Sequence, residues 1–152
     1  MSNIKYRIAK QSDIDKLIKL MLLLYKNTSY EELLAEIEPD IESNNFVFFL
    51  ALDNGKFVGF SHCAVRHDYV EGTNGGNVGY LEGIFVLPEY RRKGIAKHLL
   101  ALCEGWSREK GCKEFASDCE IGNTESYNFH IKMNFSEANR VICFAKRIDD
   151  QE

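Results

Sequence analysis

Two rhythms of apolar and polar positions alternate along this chain: the two-residue period of a strand and the three-to-four-residue period of a helix. Residues 5–8 alternate weakly and predict a first strand. Ile14, Leu17, Ile18, Met21 and Leu24 recur at helical spacing and predict a helix to about Tyr25, with Ser12 and Asp15 as a loose capping box. Residues 27–29 break the pattern. A second helix is predicted over 30–37, ended by Pro39. Residues 46–52 and 57–65 are apolar runs of strand length. Asp53-Asn54-Gly55-Lys56 between them reads as a hairpin turn, because Asn-Gly accepts positive φ. A polar, glycine-rich loop covers 67–79. The strand that follows, over 79–87, closes at Pro88, which cannot donate to a sheet ladder. From Gly94 the rhythm turns helical again, with Ile95, Leu99, Leu102 and Trp106 in register, and Gly111 stops that helix after Lys110. Residues 113–118 predict another strand. Asn123 or Thr124 caps a helix to about Met133, and Asn134 sits where a left-handed residue is wanted. Residues 139–146 predict a last strand, and the tail 149–152 is expected to fray.

The order of these elements predicts an α+β fold, an α/β/α sandwich with a central, mostly antiparallel sheet and helices on both faces. The length of 152 residues suits a single domain over 1–152. No apolar run is long enough to span a membrane and the N-terminus lacks a signal core, so a cytoplasmic location is expected. The five cysteines are scattered and form no CxxC, which suggests buried free thiols, not a zinc site or a disulfide frame. The net charge of −4 argues against nucleic acid as the main partner. Charge is unevenly spread. Glu31, Glu32, Glu36, Glu38, Asp40 and Glu42 fall in one stretch without a lysine or arginine, which is a solvated helix face or an attractor for a polycation.

The turn between the strand at 79–87 and the next helix is where chemistry concentrates. Arg91, Arg92, Lys93, Gly94, Ile95 and Ala96 place backbone N–H groups, small residues and positive charge at a helix N-terminus, either as a solvated basic turn or as an anion site. Arg91-x-x-Gly94-x-Ala96 after Ile84-Phe85-Val86-x-Pro88 resembles the acetyl-CoA signature of the GCN5-related N-acetyltransferases (GNAT). The likeness covers nearly the whole chain. It narrows at Arg66-His-Asp-Tyr-Val, Leu81-Glu-Gly-Ile-Phe-Val-Leu-Pro, Gly111-Cys-Lys-Glu-Phe-Ala-Ser-Asp118 and Arg140-Val-Ile, which resemble the bacterial aminoglycoside 6′-N-acetyltransferases.

The resemblance implies a GNAT fold whose sheet splays at the strand ending in Pro88, with acetyl-CoA in the V-shaped gap. The turn amides would hold its pyrophosphate, and the strand edge at Ile84, Phe85 and Val86 its pantetheine arm. Asn123 would touch the pantetheine. His62, His67 and His98 show no metal-ligand spacing with acids or cysteines, so no metal is expected. The resemblance implies an aminoglycoside as acceptor, and a homodimer.

Glu82 is the sharpest candidate by residue type, since a carboxylate in an apolar strand is costly unless used or paired. In an ideal strand it shares a face with Tyr80, Ile84 and Val86, and Gly83 is a place for a bulge. By resemblance Glu82 accepts the amine's proton, Asp118 binds ammonium groups, and Tyr69 and Tyr25 line the acceptor pocket. His130 stands where many members carry the tyrosine that protonates the leaving thiolate; Tyr127, solvent or no donor are the alternatives. An acetyltransferase of another small amine or of a peptide amine, and a non-catalytic acetyl-CoA sensor, also fit the turn. Glu82 argues against the sensor. A P-loop is excluded, because Gly94 is not followed by Lys and Ser or Thr.

Overall fold

The computed structural model describes residues 3–149, in two compact units that divide after Asp118. The first unit is built on a five-stranded sheet in the order β1-β2-β3-β4-β5: β1 (Ile4–Ile8), β2 (Phe46–Asp53), β3 (Lys56–Arg66), β4 (Val78–Val86) and β5 (Glu114–Ala116). Neighbours run antiparallel except β4 and β5, which are parallel. The β2–β3 hairpin turns at Asn54 and Gly55, both at positive φ, as the Asn-Gly pair requires.

Side chains alternate across β2 and β3, so each strand feeds two cores. Phe48, Leu50, Leu52 and Phe60 point to one face. There they meet Leu17, Ile18 and Met21 of α1 (Ile14–Met21) and Leu33 and Ile37 of α2 (Tyr30–Ile41). Ser61 and Cys63 point to the other face, against Leu99 and Cys103 of α3 (Ile95–Glu109). Helices therefore cover both faces, as the apolar pattern anticipates.

Three local expectations are corrected. Ser12 and Asp15 do not form the cap of α1. Asp13 takes the N-cap position without a side-chain cap bond; its carboxylate accepts instead from Lys10 N at 2.8 Å in the 3₁₀ turn before α1 and pairs with Arg7 at 2.6 Å, while Asp15 accepts from Tyr30 Oη at 2.8 Å. The helix itself ends at Met21, before Tyr25. Pro39 does not stop α2, which runs on to Ile41: a proline costs the helix one N–H donor, and tertiary packing of Leu33 and Ile37 carries the helix past it. The buried-thiol expectation holds for Cys63, Cys103 and Cys112, whereas Cys119 and Cys143 are exposed.

The second unit contains α4 (Thr124–Lys132). Asn123 caps it by accepting from Ser126 N at 3.1 Å, and Asn134 ends it at φ 72°. The last strand, expected over 139–146, is not formed. A strand needs a neighbour for its ladder, and the described residues 135–148 carry no regular structure, with Val141, Ile142, Phe144 and Ile148 exposed.

At Gly79, where β4 faces α3, a methyl group would lie 2.6 Å from Ser107 Cβ and 2.7 Å from the Phe115 ring. Gly79→Ala should therefore cost about 1–3 kcal/mol, read as a lower denaturation midpoint in urea with unchanged slope.

Candidate active site

β4 changes character half-way along. Its first three residues pair with β5, Tyr80 opposite Ala116 being the last couple. Beyond Tyr80 the ladder with β5 stops while pairing with β3 continues to Val86. The sheet thus opens along one edge of β4. Ser117 Oγ reaches Leu81 O at 3.4 Å, and Arg91 Nε donates to Val86 O at 2.8 Å, at either end of that edge.

The turn below the edge is shaped for an anion. Arg92 and Gly94 both adopt left-handed backbone, at φ 64° and 81°, in the turn that leads into the N-terminus of α3. Gly94 O accepts the first helical bond, from His98 N at 3.0 Å, and the N–H groups of the first turn of α3 have no partner inside the helix. Arg92 and Lys93 are exposed. Arg91 is tied back to β4 through its Nε and lies over the Phe85 ring, so it fixes the turn and adds charge to it.

A bulge in β4 sets the surroundings of Glu82. Cys63 pairs with Leu81 and His62 with Gly83, which leaves Glu82 as the extra residue. The bulge shifts the side-chain phase. Glu82 stays on the Tyr80 face, Gly83 joins it there, and Phe85 packs into the α1/α2 core with them. Ile84 and Val86 go to the α3 face, so the ideal-strand expectation that they share Glu82's face is corrected. Gly83 has no room for a side chain, because Tyr25 Oη occupies the place of its Cβ. Tyr25 and Glu82 are accordingly neighbours, and the Tyr25 phenol is pushed up to about 12 by burial and by the charges of Glu36 and Glu82.

Glu82 is paired. Arg66 Nε and Nη2 donate to its two oxygens at 3.0–3.1 Å, and the Arg66 Cζ lies 3.5 Å from the centre of the Tyr80 ring. Tyr80 Oη in turn donates to Asp118, two residues past the end of β5. Burial, and then the bond to Asp118, raises the Tyr80 phenol pKa. Asp40 on α2 lies 3.7 Å from His62 Nε2, and burial together with Glu36 and Glu82 raises the Asp40 carboxyl pKa. One face of the sheet therefore gathers Tyr25, Asp40, His62, Arg66, Tyr80, Glu82 and Asp118, three of them carboxylates. Among the described residues no group of His, Cys, Asp and Glu is arranged to hold a metal ion.

A sequence profile described as the acetyltransferase (GNAT) family matches residues 14–135. The chain belongs to that family. Among named relatives, an aminoglycoside N(6′)-acetyltransferase type 1 of Salmonella typhimurium is 42% identical over 114 residues, 75% of this chain and 79% of that protein. One from Serratia marcescens is 34% identical over 142 residues, 93% and 97% of the two chains. A solved structure of AAC(6′)-Iy with the bisubstrate analogue CoA-S-monomethyl-acetylneamine superposes with a TM-score of 0.91 at 35% identity, covering 97% of this chain and all of that one. AAC(6′)-Ih from Acinetobacter baumannii gives 0.90 at 34%, with 96% and 99% coverage.

Of the residues expected from the GNAT resemblance, Tyr25 and Glu82 come together, and Asp118 joins them through Tyr80 and Arg66. Tyr69 is exposed on the loop before β4, beside the buried Val70. Asn123 and His130 belong to the second unit. The Asn123 side-chain oxygen serves the α4 cap. His130 Nδ1 donates to Ser126 O at 2.7 Å. Sequence reasoning gave no role to Arg66, Tyr80 or His62. Their signal lies in the pairing of β3 with β4: His62, Ala64 and Arg66 share a face, and Ala64 stands opposite Tyr80.

His62 is buried, stacks on Phe48 at 4.0 Å, and its Nε2 has no hydrogen-bond partner. The 3.7 Å approach to Asp40 does not make an ion pair at neutral pH, because burial lowers the imidazole from 6.5 to about 4. Between those values the unfolded chain binds a proton that the folded chain refuses, so stability falls as pH falls. From pH 7 to pH 5 the native protein should lose about 2 kcal/mol more than His62→Phe, measured by urea unfolding at both pH values.

Proposed function

We propose that this protein is an aminoglycoside 6′-N-acetyltransferase, moving acetyl from acetyl-CoA to the 6′-amine in one direct attack and so conferring aminoglycoside resistance. The observation that carries the reading is the opened edge of β4. It runs from a turn built for pyrophosphate to a bulge that sets a carboxylate, Glu82, on the acidic face. The named relatives at 34–42% identity support the acceptor class.

The chemistry follows from that placement. The turn amides of residues 92–96 hold the pyrophosphate, and Arg91, Arg92 and Lys93 add charge. The peptide edge at Ile84, Phe85 and Val86 lies along the pantetheine, and a backbone N–H there polarises the thioester carbonyl as negative charge develops on its oxygen. Asp118 and the acids of α2 receive ammonium groups of the polycation, with Tyr25 and Tyr69 against its rings. The reacting amine must be neutral to attack. Glu82 accepts its proton through water as the C–N bond forms, the C–S bond then breaks, and the thiolate leaves. By family resemblance His130 is the residue proposed to protonate the leaving thiolate, and its Nδ1 donates to Ser126 O. Acetylation replaces a charged amine by a neutral amide, which weakens the drug's hold on a polyanionic target.

The family profile spans both units, which supports reading 1–152 as one acetyltransferase domain. We also infer a homodimer and a cytoplasmic location. The dimer reading is supported by the strand-patterned, exposed Val141, Ile142 and Phe144 of the second unit, and separately by β5 being the edge of the sheet. No helix among the described residues is long and apolar enough to cross a membrane.

Thiol release from acetyl-CoA, followed with kanamycin, tobramycin, gentamicin, spermidine and a lysine peptide, tests the function. Turnover is expected only with aminoglycosides carrying a 6′-amine. Glu82→Ala should lower kcat/KM by roughly 10²–10⁴-fold, and Asp118→Ala should act mainly on KM. Turnover of spermidine or the peptide instead would overturn the acceptor assignment.

A further inference from the structure

Arg66 is the strongest contact Glu82 makes, and a need for stability does not explain it. The Arg66 side chain is 43% exposed and that of Glu82 23%, and ion pairs of that exposure contribute little to folding. The geometry is more specific than charge alone requires. The guanidinium holds both carboxylate oxygens in a planar fork, and Tyr80 stacks under it at 3.5 Å. The same Tyr80 ends on Asp118. Two acids that stand apart in sequence are thereby joined by one cation and one aromatic ring.

The fork is lopsided. Oε2 accepts two of the three bonds and Oε1 only one. A carboxylate offers about four acceptor positions, so spare capacity lies mostly on Oε1. A bare carboxylate would close on whichever ammonium of a polycation arrived first. One already matched by a guanidinium presents a single directed oxygen and keeps its plane.

We propose that Arg66 is a positioning residue for acetyl transfer: its fork on Glu82, floored by Tyr80, orients the carboxylate at the β4 bulge toward the acceptor amine, and Tyr80 carries the same constraint to Asp118. The proposal rests on the reading of Glu82 as proton acceptor. Arg66 acts through Glu82, so its loss should fall on kcat and not on the binding of either substrate.

The test is a mutant cycle with kanamycin and acetyl-CoA. Arg66→Ala should lower kcat roughly 10- to 100-fold, with KM for kanamycin and the Kd of CoA nearly unchanged. Arg66→Lys should recover little, because an ammonium is a point charge without a fork. Added guanidinium ion should restore part of the rate to Arg66→Ala and none to Glu82→Gln. Tyr80→Phe, which keeps the stacking floor and frees Asp118, should raise KM about tenfold at similar kcat. In a Glu82→Gln background Arg66→Ala should add no further loss. Full activity of Arg66→Lys would overturn the fork, and additive losses in the double variant would overturn action through Glu82. Were Arg66→Ala to fold poorly, Arg66→Lys and the guanidinium response of Arg66→Gln would decide the same question. Should Glu82→Gln alone keep its rate, the base reading fails, an outcome distinct from the additive one.

Discussion

The arrangement depends on β4 losing its partner after Tyr80. A strand with neighbours on both sides has every peptide group committed. Once β5 ends at Ala116, the peptides of residues 81–86 on that side must find other partners. In a protein interior that would be a defect. Here the gap starts where Asp118 and Glu82 stand and ends at the left-handed turn of Arg92 and Gly94, so one break in pairing connects the proposed acceptor side to the proposed pyrophosphate turn. The shortness of β5 is thus what turns a sheet into a cleft.

The bulge adds the second constraint. Without it, alternation from Tyr80 would send Gly83 toward α3 and return Ile84 to the face of Glu82. The extra residue places Glu82 and the side-chain-free Gly83 side by side, and the vacancy at Gly83 is filled by the Tyr25 phenol. Sheet irregularity, glycine and tyrosine are interdependent: a side chain at residue 83 would displace Tyr25, and removing the bulge would turn the carboxylate's neighbours inside out. Burial first, and then the charges of Glu36 and Glu82, raises the Asp40 carboxyl pKa on this face.

Most of the fold was legible from apolar periodicity, because long runs such as those of β2, β3 and α3 leave one arrangement that buries them. The Asn54-Gly55 turn, the Gly94 and Gly111 boundaries and the Asn123 cap follow from residue chemistry alone. The misreadings are of two kinds. Packing carries Pro39 inside α2, and Asp13, held by Arg7 and Lys10 N, takes the N-cap position, whereas residues 139–146 have strand character but no ladder. In the site, Glu82 stood out because a charge interrupts an apolar run. Arg66 and Tyr80 did not, since an arginine at a strand end and a tyrosine in a strand are ordinary. Only the β3–β4 register shows that they meet.

The same register bears on the two demands that the proposed function makes of Glu82. Near a polycation it attracts positive charge, and as the proposed acceptor of the amine's proton it must keep a lone pair. A free carboxylate satisfies the first at the expense of the second, because the nearest ammonium takes it in any orientation. In the proposed mechanism attraction falls to Asp118 and the acids of α2, while Arg66 pairs with Glu82 from one side and leaves Oε1 less committed than Oε2. The same arginine rests on the tyrosine that holds Asp118, so neither acid is oriented independently of the other. The proposed roles in binding and proton transfer thereby fall to two acids that one arginine and one tyrosine hold in a fixed relation.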